Sequence, residues 1–90
     1  MARPKKLKQT SKNIECNGFV PLVPVCLEQI FLDLEELEAL KLKDFQGLEQ
    51  KQAAQKMAIS QPTFHRLITS ARKKIADALV NAKEIKIRNV

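Results

Sequence analysis

The sequence predicts an all-α domain: a three-helix helix-turn-helix core with a basic N-terminal arm and short strands near residues 26–32 and 84–89. Three observations carry that expectation. Apolar residues recur at three- and four-residue spacing between residues 33 and 81, which is the period of an amphipathic helix. The only aromatics in the 90 residues are four Phe, favouring an aliphatic helical core over a sandwich or barrel. Two of the helical stretches are separated by a turn of only three residues. A chain of this length holds one core and buries about 60–65% of its unfolded surface.

Residues 1–13, "MARPKKLKQTSKN", have no periodicity and almost no apolar content. They read as a flexible basic arm. Arg3, Lys5, Lys6, Lys8 and Lys12 gather there without a single acid. A solubilising tail would need no such bias, so Arg3, Lys5 and Lys6 are candidate contacts to phosphates.

Residues 14–32, "IECNGFVPLVPVCLEQIFL", are apolar but interrupted by Pro21 and Pro24. Two prolines three apart forbid a helix interior and a central strand. An extended segment is expected, with "CLEQIFL" able to form a short strand. Its natural mate is "EIKIRNV", where Ile85 and Ile87 alternate with Lys86 and Arg88. Two strands alone are marginal in water. The pair therefore needs the helical body, or a second copy of the chain, to cover one face.

Residues 33–90 form the expected helix-turn-helix domain. Its first helix, "LDLEELEALKLKDFQG", has Asp33 as cap, Glu36 to complete a capping box, and Leu32 with Leu37 as a hydrophobic staple. Leu34, Leu37 and Leu40 make an apolar stripe that Phe45 could extend, Ala39 and Leu42 broaden it, and Gly47 is placed to stop the helix. "LEQKQAAQKM" reads as a second, shorter helix with Leu48, Ala53 or Ala54, and Met57 inward and Lys51 outward. The third runs from about Gln61 to Asn81. Ser60 and Gln61 compete as its cap. Ser60 is the better residue type and Thr63 supplies the amide it can take, although Pro62 then falls one place later than its ideal.

Net charge is +6, but its distribution says more. Residues 1–13 carry +5, residues 14–47 carry −5, and residues 48–90 carry +6. Bases at both ends with acids between them suit a polyanionic partner. On the third helix, Phe64, Leu67, Ile68, Ala71, Ile75, Ala78 and Leu79 share one apolar sector. Pro62, His65, Arg66, Thr69, Lys73 and Ala76 share the other. Such a helix can seat one side on a core and enter a major groove with the rest. Gln61 can donate and accept together, as an adenine edge requires, and Arg66 can fork onto guanine. With Pro62, His65 and Thr69 they are the candidate base-contacting residues. Lys51, Ser60, Thr63, Arg72, Lys73 and Lys74 are the candidate phosphate contacts.

Other chemistries find little support. His65 is the only His and sits in a basic neighbourhood, so no nucleophile and base can be assembled and no enzyme is expected. One His with two Cys makes a poor metal set. No cofactor is expected either, since the two glycines build no phosphate loop. Cys16 and Cys26 are expected as free thiols in a reducing compartment. No apolar run reaches a membrane span, which points to the cytoplasm.

The stretch from Leu32 to Leu79 resembles the promoter-reading C-terminal domain of bacterial sigma factors, which shares its "ARKK" segment. Nearly the whole chain resembles a family of small uncharacterised prokaryotic proteins labelled as DNA-binding. The matching features are an Arg-Pro-Lys-Lys arm at residues 3–6, a "DELEALRLAD" helix at 33–44, an "AAEKMGVSRQTFQRIL" motif at 53–68, and "ARRKIADALVNGKAL" at 71–85. The resemblance implies a sigma-factor C-terminal-domain-like fold that binds DNA. The chain departs from the motif with Ala58 for Gly, Gln61-Pro62 for Arg-Gln, and His65 for Gln. The expectation is a sequence-specific double-stranded DNA-binding transcription regulator, acting as a homodimer because one helix discriminates too little. The alternative is a sigma-like module contacting RNA polymerase or a partner subunit, favoured by the acidic helix at 33–44. RNA is less favoured, for want of exposed stacking aromatics.

Overall fold

Two five-residue strands with apolar residues at alternate positions meet in register and set the architecture of the computed structural model, which describes residues 17–23, 25 and 28–89. Strand β2 is Gln29–Asp33 and strand β3 is Glu84–Arg88, and they pair in parallel. The register places Ile30 beside Ile85 and Leu32 beside Ile87, so their apolar side chains share one face. The other face carries Gln29, Phe31 and Asp33 beside Glu84, Lys86 and Arg88. Gln29 Nε2 donates to Glu84 Oε1 at 3.2 Å, and Arg88 pairs with Asp33 at 3.0 Å while its guanidinium lies 4.8 Å from the Phe31 ring centroid. A two-residue strand, β1 at Gly18–Phe19, runs antiparallel along the opposite edge of β3, giving the order β1-β3-β2. Gly18 has a positive φ of 153°, and a Cβ there would collide with the Ile85 carbonyl. Only glycine lets β1 approach so closely.

The domain is thus mixed α/β, and the all-α expectation is corrected by this three-stranded mixed sheet. The strands near 26–32 and 84–89 are short enough to look incidental in sequence. They become a sheet because β3 is central and draws a partner from each side. A parallel pair needs a long crossover between its strands, and here the crossover is the entire helical body.

That body begins at α1, Leu34–Leu40, capped by Asp33 in a capping box whose Glu36 Oε1 accepts the Asp33 amide at 2.9 Å. The expected single helix through Phe45 does not stay regular. It widens into a π-helical turn, Lys41–Phe45, and the Gln46 amide reaches back to the Lys41 carbonyl at 2.8 Å. The wider turn rotates Phe45 out of the expected stripe and leaves it 85% exposed. Gly47 follows at φ 78°. Helix α2 is Gln50–Met57 and helix α3 is Gln61–Asn81. Ala39, Leu42, Ala53, Ala54, Phe64 and Ile68 form the core cluster where α1, the π turn, α2 and α3 meet. Leu79, expected inward, is exposed near the end of α3, whereas Ala78 is buried.

Among the described residues one buried side chain is charged. Glu36 accepts from Ser70 Oγ at 2.5 Å and from Lys74 Nζ at 2.8 Å, and Lys74 Nζ also donates to the Phe31 carbonyl at 2.7 Å. One carboxylate thereby joins α1, α3 and β2. Burial alone would raise its pKa. The bonds from Lys74, Ser70 and the Asp33 amide, with the Lys74 charge, outweigh burial and hold it below its ordinary 4.5. Among the described residues no helix is long and apolar enough to cross a membrane. Residues 1–13, Cys16 and Cys26, with the arm and the free thiols expected there, lie outside the described residues.

The Glu36 site makes a pH prediction. Its folded pKa is depressed, so its stabilisation is present above the unfolded value and is lost as pH falls through the folded one. Glu36→Gln should cost about 2–3 kcal/mol at neutral pH, because it breaks a charge-assisted network and strands Lys74. Urea unfolding across the acidic range should show a shallower pH dependence for the variant. Equal pH slopes would refute this role for Glu36.

Candidate nucleic-acid interface

The exposed side of α3 is built from its first residue. Ser60 caps the helix in extended conformation, and its Oγ accepts the Thr63 amide at 3.2 Å. Pro62 occupies the second helical position, where the missing amide is not needed. Ser60, not Gln61, is therefore the cap. The Ser60 hydroxyl donates to Thr63 Oγ1 at 2.8 Å, and Arg66 Nη2 donates to the same oxygen at 3.3 Å. Two accepted bonds fill the Thr63 hydroxyl's acceptor capacity, leaving its own proton to donate elsewhere. Arg66 is steadied without being neutralised.

Gln61, Pro62, His65, Arg66 and Thr69 all lie on the exposed side, together with Lys73 and Ala76. Buried Phe64, Ile68 and Ala71 hold the opposite side on the core. Helix α2 adds exposed Lys51 in its first turn and exposed Lys56 in its last, next to the turn into α3. Gln50, the first residue of α2, brings its Nε2 to 3.4 Å from His65 Nδ1, so the imidazole touches both helices.

The remaining phosphate candidates divide. Lys73 is exposed on the same side as Arg66. Arg72 instead makes a two-pronged pair with Asp44 of the π turn, at 2.6 and 3.0 Å. Its hydrogen bonds lower the Asp44 pKa, and Asp44 raises that of Arg72. Lys74 turns inward to Glu36. The basic run Arg72-Lys73-Lys74 thus keeps one charge out of a close ion pair, at Lys73, which Asp77 one turn on feels only through space. Sequence spacing could not reveal this, because Asp44 and Glu36 come from a different helix. Arg3, Lys5 and Lys6 lie outside the described residues. Also among the described residues, no three His, Cys, Asp or Glu side chains gather where they could hold a metal ion.

The turn between α2 and α3 places Ala58 at φ 59°, ψ 41°, in the left-handed region. Its amide satisfies carbonyls at the end of α2, and the Ile59 amide bonds the Ala54 carbonyl at 3.1 Å. Ile59 packs against the core from the turn. A family model described as "Protein of unknown function DUF134" matches residues 1–89. The chain belongs to the DUF134 family. A UPF0251 protein of Caldanaerobacter subterraneus subsp. tengcongensis is 49% identical over 97% of this chain and 75% of the relative. One from Thermoanaerobacter pseudethanolicus is 47% identical over the same shares. A UPF0251 protein of Clostridium tetani is 48% identical over 97% of this chain but only 60% of its own length. No solved structure matches significantly. The family match over residues 1–89 takes in both the sheet and the helical body.

In this DUF134 chain the left-handed alanine is a testable strain. Ala58→Gly should stabilise the domain by about 1 kcal/mol, raising Tm by about 4–8 °C. Thermal unfolding by circular dichroism measures it, and a lowered Tm would contradict the strain assignment.

Proposed function

We propose that the chain is a sequence-specific double-stranded DNA-binding protein, a transcription regulator, that reads the major groove with the first turns of α3. One observation carries the reading. From Gln61 to Lys73 the exposed side of α3 offers amide, imidazole, guanidinium, hydroxyl and ammonium groups with no acid among them, on a helix seated rigidly by Phe64 and Ile68. Arg66 is the guanine reader, and Gln61, His65 and Thr69 complete the base-facing set. Pro62 stiffens their mount. Ser60 and Thr63 face the phosphates at the helix start, and Lys51 and Lys73 flank them. The likeness to sigma-factor C-terminal domains supports this docking. No reaction is assigned to the chain, and its place of action is the cytoplasm, where the DNA is. It acts as a homodimer, since two half-sites multiply the discrimination of one helix.

A second reading is favoured by Phe45, 85% exposed on the π turn, and by the acidic first turn of α1 with Glu35 and Glu36. An exposed apolar side chain following an acidic helix fits a partner subunit such as RNA polymerase. Stoichiometric co-purification of a protein, with DNA affinity indifferent to Arg66, would favour it.

Three variants test the first reading by anisotropy titration on a duplex selected from a random pool. Arg66→Ala should weaken specific binding by about 1–3 kcal/mol. Lys73→Ala should weaken all duplexes alike and reduce the salt slope by about one. Arg72→Gln should leave that slope nearly unchanged, because Asp44 already neutralises the guanidinium. Absence of salt-sensitive binding to any duplex would end the reading.

A further inference from the structure

We infer that Gln50, outside the reading helix, is a positioning residue that sets DNA specificity by fixing the proton of His65. The inference rests on the DNA-binding reading above. A neutral imidazole carries one proton on two nitrogens, and the partner of one nitrogen decides which holds it. Gln50 Nε2 stands 3.4 Å from His65 Nδ1. An amide nitrogen only donates, so Nδ1 accepts and the proton resides on Nε2, the ring atom farthest from the backbone. His65 then presents a donor on the exposed side of α3.

The anchoring of Gln50 makes this a property of the fold. It is the first residue of α2, whose start is set by a capping box in which the Glu49 amide donates to Gln52 Oε1 at 3.2 Å. Buried Ala53 and Ala54 of α2 join Phe64 and Ile68 of α3 in the core cluster, so the two helices cannot slide independently. The amide and the imidazole are held across that packed junction.

The chemistry then names the base. In the major groove, guanine offers N7 and O6, adenine N7, and thymine O4 as acceptors, whereas cytosine presents only its N4 amine. An Nε2–H donor accepts any of the first three and rejects cytosine. At the base facing His65 the expected code is an exclusion of cytosine, not the choice of one base. Glutamine at position 65, with both donor and acceptor, would not impose that exclusion.

The test has two arms. His65 is the only histidine, so its ring signals in long-range 1H–15N spectra need no assignment. With the ring neutral, wild-type protein should show the Nε2–H tautomer, and Gln50→Met a mixture. A dominant Nδ1–H tautomer in the wild type, or no change in Gln50→Met, overturns the inference without touching the DNA-binding reading. In the second arm, bound duplexes are selected from a random pool. Wild type should exclude cytosine at one position by about tenfold, and both Gln50→Met and His65→Gln should lose that exclusion while keeping the rest of the site. Full exclusion retained in Gln50→Met overturns the inference, and Gln50→Ala gives the same readout should Gln50→Met unfold. Failure of the wild type to bind any duplex overturns both readings, whatever the tautomer.

Discussion

A single buried carboxylate holds the three layers of this domain in place. Glu36 closes the cap of α1, takes the hydroxyl of Ser70 and the ammonium of Lys74 from α3, and through Lys74 reaches the β2 carbonyl of Phe31. Burying a charge costs several kcal/mol unless it is paired and hydrogen-bonded, and here three donors, one of them charged, meet the carboxylate. The arrangement is directional where apolar contacts are not. Leu32, Ala39 and Ile68 would tolerate small rotations of α3, but the Glu36 network tolerates few. Ser70 and Lys74 flank the side of α3 proposed to read DNA, with Ser70 one turn after Arg66. The azimuth of that helix is therefore fixed from the edge of its reading side.

Much of the local structure was legible in the sequence, and the reasons are chemical. Asp33 with Glu36, and Ser60 with Thr63, are short-range hydrogen-bonding signatures, so the starts of α1 and α3 are legible to within a residue. The exposed set from Pro62 to Ala76 followed from a period of 3.6. What was hidden depends on contacts between distant residues. Glu36 looked like a surface acid completing a cap, and nothing local announces its Ser70 and Lys74 partners. Arg72 and Lys74 looked like neighbours of Lys73 in one basic run, yet Asp44 and Glu36 take their charges. The pairing of Gln50 with His65 spans 15 residues and needs the helix junction to be known. The fold class failed for the same reason. Ile85 and Ile87 signalled a strand, but only the register with Ile30 and Leu32, and the glycine-permitted approach of β1, make three short pieces into a sheet. The π turn leaves no mark in the sequence, since Phe45 fits the stripe of Leu34 at a regular 100° step.

Two alanines, Ala58 and Ala82, end α2 and α3 in the left-handed region at φ 59° and 56°. Each replaces the glycine that such a cap favours, and each is held by amides that close on the preceding helix. After Ala82, Lys83 pairs with Asp77 and Glu28, whose bonds raise its pKa, and so ties the exit of α3 to the residue before β2. The strain at both caps is thus absorbed by neighbours that fix where the chain goes next.

The order of the sheet has a consequence for how the domain forms. Its middle strand, β3, follows every other described element, and its partner in β2 lies 55 residues earlier at the Gln29–Glu84 pair. The helical hairpins can nucleate early on local contacts, but the sheet must wait until residues 84–88 have been synthesised. Closing so long a loop is slow and comes after local structure. Until then β1 and β2 have nothing between them, and the apolar faces of Ile30 and Leu32 are open to association with other nascent chains. The domain is assembled like an arch, with the keystone set last.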